Sequence, residues 1–408
     1  MNVVNSKSGG SNYKWYVLSL AALTFTFVSA MPQICMTVLF KEILDDLSLS
    51  LVEIGIVWGI APLAGLFIVL LGGLLADRYG AKRTMSIACL LAGLAGALRG
   101  VSGDFASLTL TTFFFGLSAW IIPSSVFKAT ATWFSGRQLV LANGIVSAGM
   151  GFGLTVGAMI SATILSPLLG GWRNVLFLYG AISIIVGLLW LLMVREPERL
   201  GSAGSEVRVP LRQAVARVFP IKAVWLLGLT LLGYTGCIQG MIGYLPLYLR
   251  ESGWTVVSAD GALATFNGVS TLGAIPLALL ANRLGLRKVI IFPVLLIAIV
   301  GVALLPVVNN VMVWVLMIMV GFARDGFFAI CLTMSTETEG IGVAYAGTAI
   351  GLTQTILNAG SFISPPLGNS LASINPGLPF IFWAAFGFLA LLAFYFVKET
   401  GWRRRQLP

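Results

Sequence analysis

Twelve long apolar runs, each separated from the next by charges or turn-forming residues, constrain this 408-residue chain more than any other feature. They fall at about 15–40, 51–76, 84–101, 105–134, 139–165, 174–194, 221–249, 257–281, 289–307, 311–336, 343–371 and 378–397. A helix needs about 20 apolar residues to cross roughly 30 Å of hydrocarbon. Every run comes close to or passes that length, and the connecting loops are short. With 58% hydrophobic residues against 10% charged, a soluble multidomain protein is excluded. The expected fold class is an all-α membrane protein with twelve transmembrane helices, and the lipid bilayer is its first partner.

Much enzymology is excluded by the absence of histidine, which removes imidazole bases and most catalytic zinc sites. Cys35, Cys89, Cys237 and Cys331 all lie inside apolar runs without CxxC spacing, so buried thiols are expected, with no metal centre. GMGFG at Gly149 to Gly153 sits in an apolar run without a preceding strand, which favours close helix packing over a dinucleotide loop. No cofactor and no enzymatic activity are expected.

The formal charge of +10 could suggest nucleic acid, but its placement along the chain argues otherwise. If the N-terminus is cytoplasmic, inner segments hold Lys7, Lys14, Arg78, Lys82, Arg83, Arg137, the basic residues of 195–222, Arg283, Arg287, Lys288, Lys398 and Arg403 to Arg405. Outer loops hold only Lys41, Arg173 and Arg250, while Arg99, Lys128 and Arg324 lie within runs. The positive-inside rule accounts for this bias without a nucleic-acid partner and places both termini in the cytoplasm. The expected location is the cell (cytoplasmic) membrane, spanned many times. The first run stays apolar to Phe40, too long for a signal-peptide core, and reads as retained.

The chain matches itself at a shift of about 205 residues. DRYGAKR from Asp77 answers NRLGLRK from Asn282, Gly116 answers Gly321, and Val194 to Glu196 answer Val397 to Glu399. Two pseudo-symmetric six-helix bundles follow, over 15–194 and 221–397, joined by a polar cytoplasmic linker at 195–220 and flanked by tails at 1–14 and 398–408. A cavity between two such halves can open to either side in turn.

GLLADRYGAKR, Gly73 to Arg83, closely resembles the signature loop of the major facilitator superfamily, and its degenerate copy stands where that family has a second one. Gly80 permits a tight turn, and Asp77 can accept from a helix N-terminus. The resemblance implies that Asp77, Arg78, Gly80, Lys82 and Arg83 gate the cytoplasmic side by clamping the two halves in one access state. The copy has Asn282 in place of the acid, so a weaker clamp is expected there. WFSGRQLVLANGIVSAG, Trp133 to Gly149, is similar to the equivalent stretch of the family's organic-anion branch, the monocarboxylate and oxalate carriers. Two departures count against other assignments. GLTVGAMISA at Gly153 to Ala162 lacks the proline and final glycine pair of drug–proton antiporters, and the acidic signature of the monocarboxylate carriers at the first helix is missing.

A charge near the bilayer centre costs about 2.5 to 3.5 kcal/mol on insertion scales, so it commonly marks a pathway. Arg324 and Asp325 lie mid-helix, roughly 18 Å of rise from the cytoplasmic end. Arg324 is assigned as the fixed cation of an anion site and Asp325 as a proton-coupling carboxylate, although a mutually compensating structural pair is the bland alternative. Because sequence neighbours project about 100° apart, direct contact between the two is expected to be poor. Lys128 joins a polar stripe with Ser124, Ser125 and Thr132. The amides of Gln33, Gln239, Gln354 and Asn358, with Tyr234, lie on polar faces of the first, seventh and eleventh helices and complete the substrate-binding set. Arg99 is read as an interfacial anchor, Glu53 and Asp260 as helix caps, and Pro32 and Pro246 as local helix breaks.

The resulting expectation is a secondary active transporter that moves a small organic anion, a carboxylate, by alternating access. Proton symport through Asp325 leads, followed by anion exchange. A carrier of a neutral polar solute such as a sugar or amino acid, or a drug exporter, is the alternative. The protein is expected to act as a monomer.

Overall fold

The computed structural model describes residues 10–195 and 211–401, with side chains given except at 10–12, 69–74, 76, 77, 211, 212 and 342–344. Most of the expected linker and parts of both expected tails therefore lie outside the described residues, as do Lys7, Arg199, Arg208 and Arg403 to Arg405.

All elements among the described residues are helical, and all but one short helix occupy the positions of the twelve apolar runs. They are α1 (Tyr13–Leu47), α2 (Leu51–Tyr79), α3 (Ala81–Val101), α4 (Phe105–Trp133), α5 (Gly136–Leu169) and α6 (Trp172–Met193). After the gap come α7 (Lys222–Glu251), α8 (Val256–Leu284), α9 (Lys288–Leu304), α10 (Asn310–Glu337), α11 (Gly342–Ser370) and α12 (Leu378–Tyr395). Ten of these places hold a described helix long and apolar enough to cross a membrane. The exceptions are α9, which is short, and α11, whose polar stripe dilutes its hydropathy. Lipid-facing stripes are plain: Ile87, Leu91, Leu94 and Leu98 are exposed along α3, as are Leu272, Ile275 and Leu279 along α8. The chain is a multi-pass, all-α membrane protein.

Local chemistry explains the irregularities. A π-helical stretch, Phe25–Ala30, interrupts α1 just before Pro32, where the ring removes a donor from the helical ladder. Pro123 marks a break in α4 between Phe105–Ala119 and Ile122–Trp133. The break expected at Pro246 does not occur, because α7 runs continuously from Lys222 to Glu251 and the buried proline is absorbed by neighbouring helices. A short helix, Leu211–Val218, lies in the expected linker.

Packing is heaviest within each half, α3 on α6 and α8 on α10, while α2 meets α11 and α5 meets α8 across the molecule. Those cross-contacts cluster toward one end, here called the far face, which carries the α1–α2 and α7–α8 connections. Asn369 on α11 donates to the Leu51 carbonyl at 2.8 Å, and Trp58 on α2 donates to the Gln239 carbonyl on α7 at 2.9 Å. Backbones approach so closely there that a Cβ on Gly55 would lie 2.7 Å from Pro366, and one on Gly59 2.6 Å from the Phe362 carbonyl. Toward the opposite end, which carries the two chain ends of the described structure, Gly144 on α5 and Gly347 on α11 have nothing within 4 Å of such a Cβ. The far face is sealed and the termini face is open.

Two charged residues depart from expectation. Arg99 is not an interfacial anchor: it is 1% exposed, because its guanidinium turns inward, donates to the Pro32 carbonyl at 3.1 Å and stacks on Phe115. Asp260 is not a cap. Thr255 caps α8 by accepting from the Ser258 amide, whereas the buried Asp260 carboxylate pairs with Arg250 of α7. Glu53 does cap α2, accepting from the Ser50 amide at 2.7 Å.

Candidate functional site

The α10 pair lies in a span whose other residues are mostly apolar, so each polar contact it makes has to come from another helix or from solvent. Arg324 Nη1 donates to Asn267 Oδ1 on α8 at 2.9 Å, and the guanidinium faces the Phe266 ring 5.4 Å away. Asn267 is itself 1% exposed and fixed by a bond from its amide nitrogen to the Leu263 carbonyl. A buried amide tied through its nitrogen and accepting from the cation through its oxygen sets the guanidinium's orientation. Nη2 has no protein partner among the described residues, and the Arg324 side chain retains 24% exposure. The fork is held from behind and open in front.

Contact between Asp325 and Arg324 is loose, and the hydrogen bond of the guanidinium goes to Asn267 instead. Asp325 Oδ1 comes within 3.7 Å of Arg324 Nε, too long for a hydrogen bond but close enough for mutual attraction. At 39% exposure the carboxylate is the more accessible partner.

Tyr234 of α7 stacks on Phe327 of α10 with ring centroids 3.9 Å apart, one turn from Arg324. Its hydroxyl is buried and has no partner. The side-chain amides of Gln33, Gln239 and Gln354 are half-buried and form no hydrogen bond among the described residues. Unpaired amides in that condition are satisfied by water or by a solute. Lys128 is half-buried on the second segment of α4, in the stripe with Ser124, Ser125 and Thr132.

Asn358 stands apart. It is 0% exposed at the α2–α11 contact, where a Cβ on Gly65 would lie 2.8 Å from its Nδ2, and both its amide atoms lack partners. In this arrangement it is out of reach of anything in the open space. The α11 stripe thus grades from open at Gly347, through half-buried Gln354, to sealed Asn358 and Ser361.

At the termini face, Gly80 adopts φ +85° at the start of α3, a positive φ that favours glycine. The Asp77 side chain lies outside the described residues. Arg78 is exposed with its guanidinium 5.4 Å from the Tyr79 ring, Arg83 is exposed and Lys82 is half-buried. In the second copy, Asn282 accepts from Arg287 at 3.0 Å, Arg287 pairs with Glu337 at 3.1 Å, and Glu399 accepts from the Arg287 and Lys288 amides. These contacts join helices of the same half.

Sequence reasoning missed Asn267. An asparagine in an apolar run one helix removed from the charged pair was the available signal, but which residue of α10 it faces depends on helix rotation. All four cysteines are buried and free.

The family described as Major Facilitator Superfamily matches residues 21–365 and 262–408. The chain is 26% identical over 152 residues to the hexuronate transporter of Bacillus subtilis (strain 168), a match spanning 37% of this chain and 36% of that protein, about a third of its length. It is 26% identical over 428 residues to the cis,cis-muconate transport protein of Acinetobacter baylyi, covering 98% of this chain and 99% of the relative. Among solved structures, an inward-facing, unoccupied bacterial homolog of the human lysosomal transporter Spinster superposes with a TM-score of 0.77 at 16% identity, covering 95% of both chains. That likeness speaks to the fold.

Proposed function

The chain belongs to the Major Facilitator Superfamily, a family of transporters rather than enzymes, and on that premise we propose that it carries a small organic anion, a carboxylate, by alternating access. One observation carries the reading: a guanidinium midway along α10, oriented by Asn267, presents an unpartnered Nη2 to accessible space. A carboxylate would complete that fork and offset a charge that is costly at this depth. The half-buried amides of Gln33, Gln239 and Gln354 would orient the rest of the solute, Tyr234 and Phe327 would wall it on one side, and Lys128 would raise the local potential. The names of the hexuronate and muconate relatives agree with an acidic cargo.

Asp325 is assigned as the coupling group. Proton binding there would release Arg324 to the substrate, so that proton and anion move together; exchange of one anion for another is the second mode. The protein works as a monomer in the cell membrane with both termini cytoplasmic, so the open termini face is the cytoplasmic one. Asp77, Arg78, Gly80, Lys82 and Arg83 would close that face in the opposite state, and Asn358 would meet the solute only when α2 and α11 part.

Reconstitution into liposomes tests this. Wild-type protein should take up members of a carboxylate panel over sugars and neutral amino acids, and Arg324→Gln should lower anion uptake by about 100-fold, the scale of losing a charge-assisted pair. Equal anion uptake by the variant would overturn the assignment and favour a neutral cargo, with Arg324 and Asp325 as a structural pair. Asp325→Asn should abolish acid-driven accumulation while sparing counterflow. Unchanged pH dependence would remove Asp325 from coupling.

A further inference from the structure

Trp58 of α2 is buried where the two halves meet, and its one donor is used across that contact. The indole Nε1 donates at 2.9 Å to the main-chain carbonyl of Gln239 on α7, the residue whose side-chain amide is half-buried and unpaired. Gly243, one turn further along α7, makes room for the ring: a Cβ there would lie 2.5 Å from Trp58 Cδ1 and 2.8 Å from Nε1. Phe40 of α1 meets the indole at 81°, with ring centroids 6.2 Å apart. Packing alone could be supplied by any large apolar side chain. What the indole adds is a directed tie to one carbonyl.

Helix geometry decides which way the two ends of Gln239 point. Cα–Cβ bonds lean toward a helix's N-terminus, and α7 begins at Lys222 on the termini face. The Gln239 side chain therefore leans toward the open end of the molecule. Its carbonyl, like those of the whole helix, points the other way, toward the sealed end where Trp58 meets it. Because the bond joins α2 of the first half to α7 of the second, it exists only while those helices are together.

We propose that Trp58 is a positioning residue that sets a substrate ligand of the opposite half: it fixes the α7 backbone at Gln239 while the far face is sealed and releases it when that face opens. The inference rests on the assignment of Gln239 as a ligand of the solute. It makes affinity unequal at the two faces, since Gln239 contributes fully when the solute enters from the termini face and only weakly when it enters from the far face.

Membrane vesicles of the two orientations, which expose one face or the other, test this with whichever solute of the panel the wild type carries. Trp58→Phe keeps a ring and removes the donor. It should raise KM at the termini face about fivefold, the scale of one hydrogen bond, while kcat stays within about twofold and KM at the far face is unchanged. In a Gln239→Ala background the same substitution should add nothing. Should Trp58→Phe fail to fold, Gly243→Ala serves instead, because its methyl pushes the indole off the carbonyl. Wild-type KM in Gln239→Ala alone would remove Gln239 from the site, and the role of Trp58 with it. If Gln239→Ala does raise KM, then a Trp58→Phe effect that is absent or equal at both faces would overturn the role of Trp58 and leave the ligand assignment standing. So would one that persists without the glutamine amide, as expected of a latch that only biases the two access states.

Discussion

Arg99 in the first half and Arg324 in the second are both guanidiniums embedded in apolar helices, yet the structure treats them in opposite ways. Arg99 is sealed, with one carbonyl and one aromatic face for company; Arg324 is a quarter exposed, tethered to an amide and approached by a carboxylate. Depth in the membrane is therefore not what separates them. They differ in exposure and in the partners the protein supplies. Arg250 is the third case, its side chain 10% exposed and paired with the fully buried Asp260.

The contrast can be broken most directly at that reference pair. Asp260→Leu leaves Arg250 buried beside no acid and should destabilise the protein by about 3–5 kcal/mol, read as a loss of thermal stability in detergent. If the loss is below about 1 kcal/mol, a sealed arginine needs no counter-charge here, and the distinction between Arg99 and Arg324 loses its basis. A smaller effect sharpens the comparison from the transport side. Asn267→Leu removes the acceptor that orients Arg324 and should raise the KM for anions about tenfold, equivalent to ~1.4 kcal/mol. An unaltered KM would show that the fork does not depend on its tether.

The smallest effects concern the two aromatic faces. Phe115→Leu, at 4.0 Å from a sealed cation, should cost about 1–2 kcal/mol of stability with transport kinetics intact. Phe266→Leu, at 5.4 Å from a cation shared with solvent, should change stability by less than about 1 kcal/mol and anion KM by about threefold. Reversal of that order in melting temperature would mean that packing volume, rather than the guanidinium, governs both positions.

Much of the architecture was legible because its causes are local. Apolar runs near 20 residues long specify spans wherever they occur, and a glycine at position 80 allows a tight turn at the head of α3, where its φ is +85°. The polar stripe on α11 was legible as a face, but not its division into an open part at Gln354 and a sealed part at Asn358. That division depends on how α2 is pressed against it at Gly65. Arg99 was misread for the same reason. Near the end of its helix it could reach the interface by its own length, and only the positions of Pro32 and Phe115 on other helices turn it inward. Asp260 begins a helix, which suggested a cap, until Arg250 arrived from the end of α7.

The sequence by itself determined the number of apolar segments, their order and the repeat relating the halves, because hydropathy and backbone satisfaction act within a single helix. Only the tertiary structure decided which charges are sealed and which are reachable. A helix's period fixes the face on which a side chain lies, but the neighbour on that face is set by rotation and packing against segments hundreds of residues away.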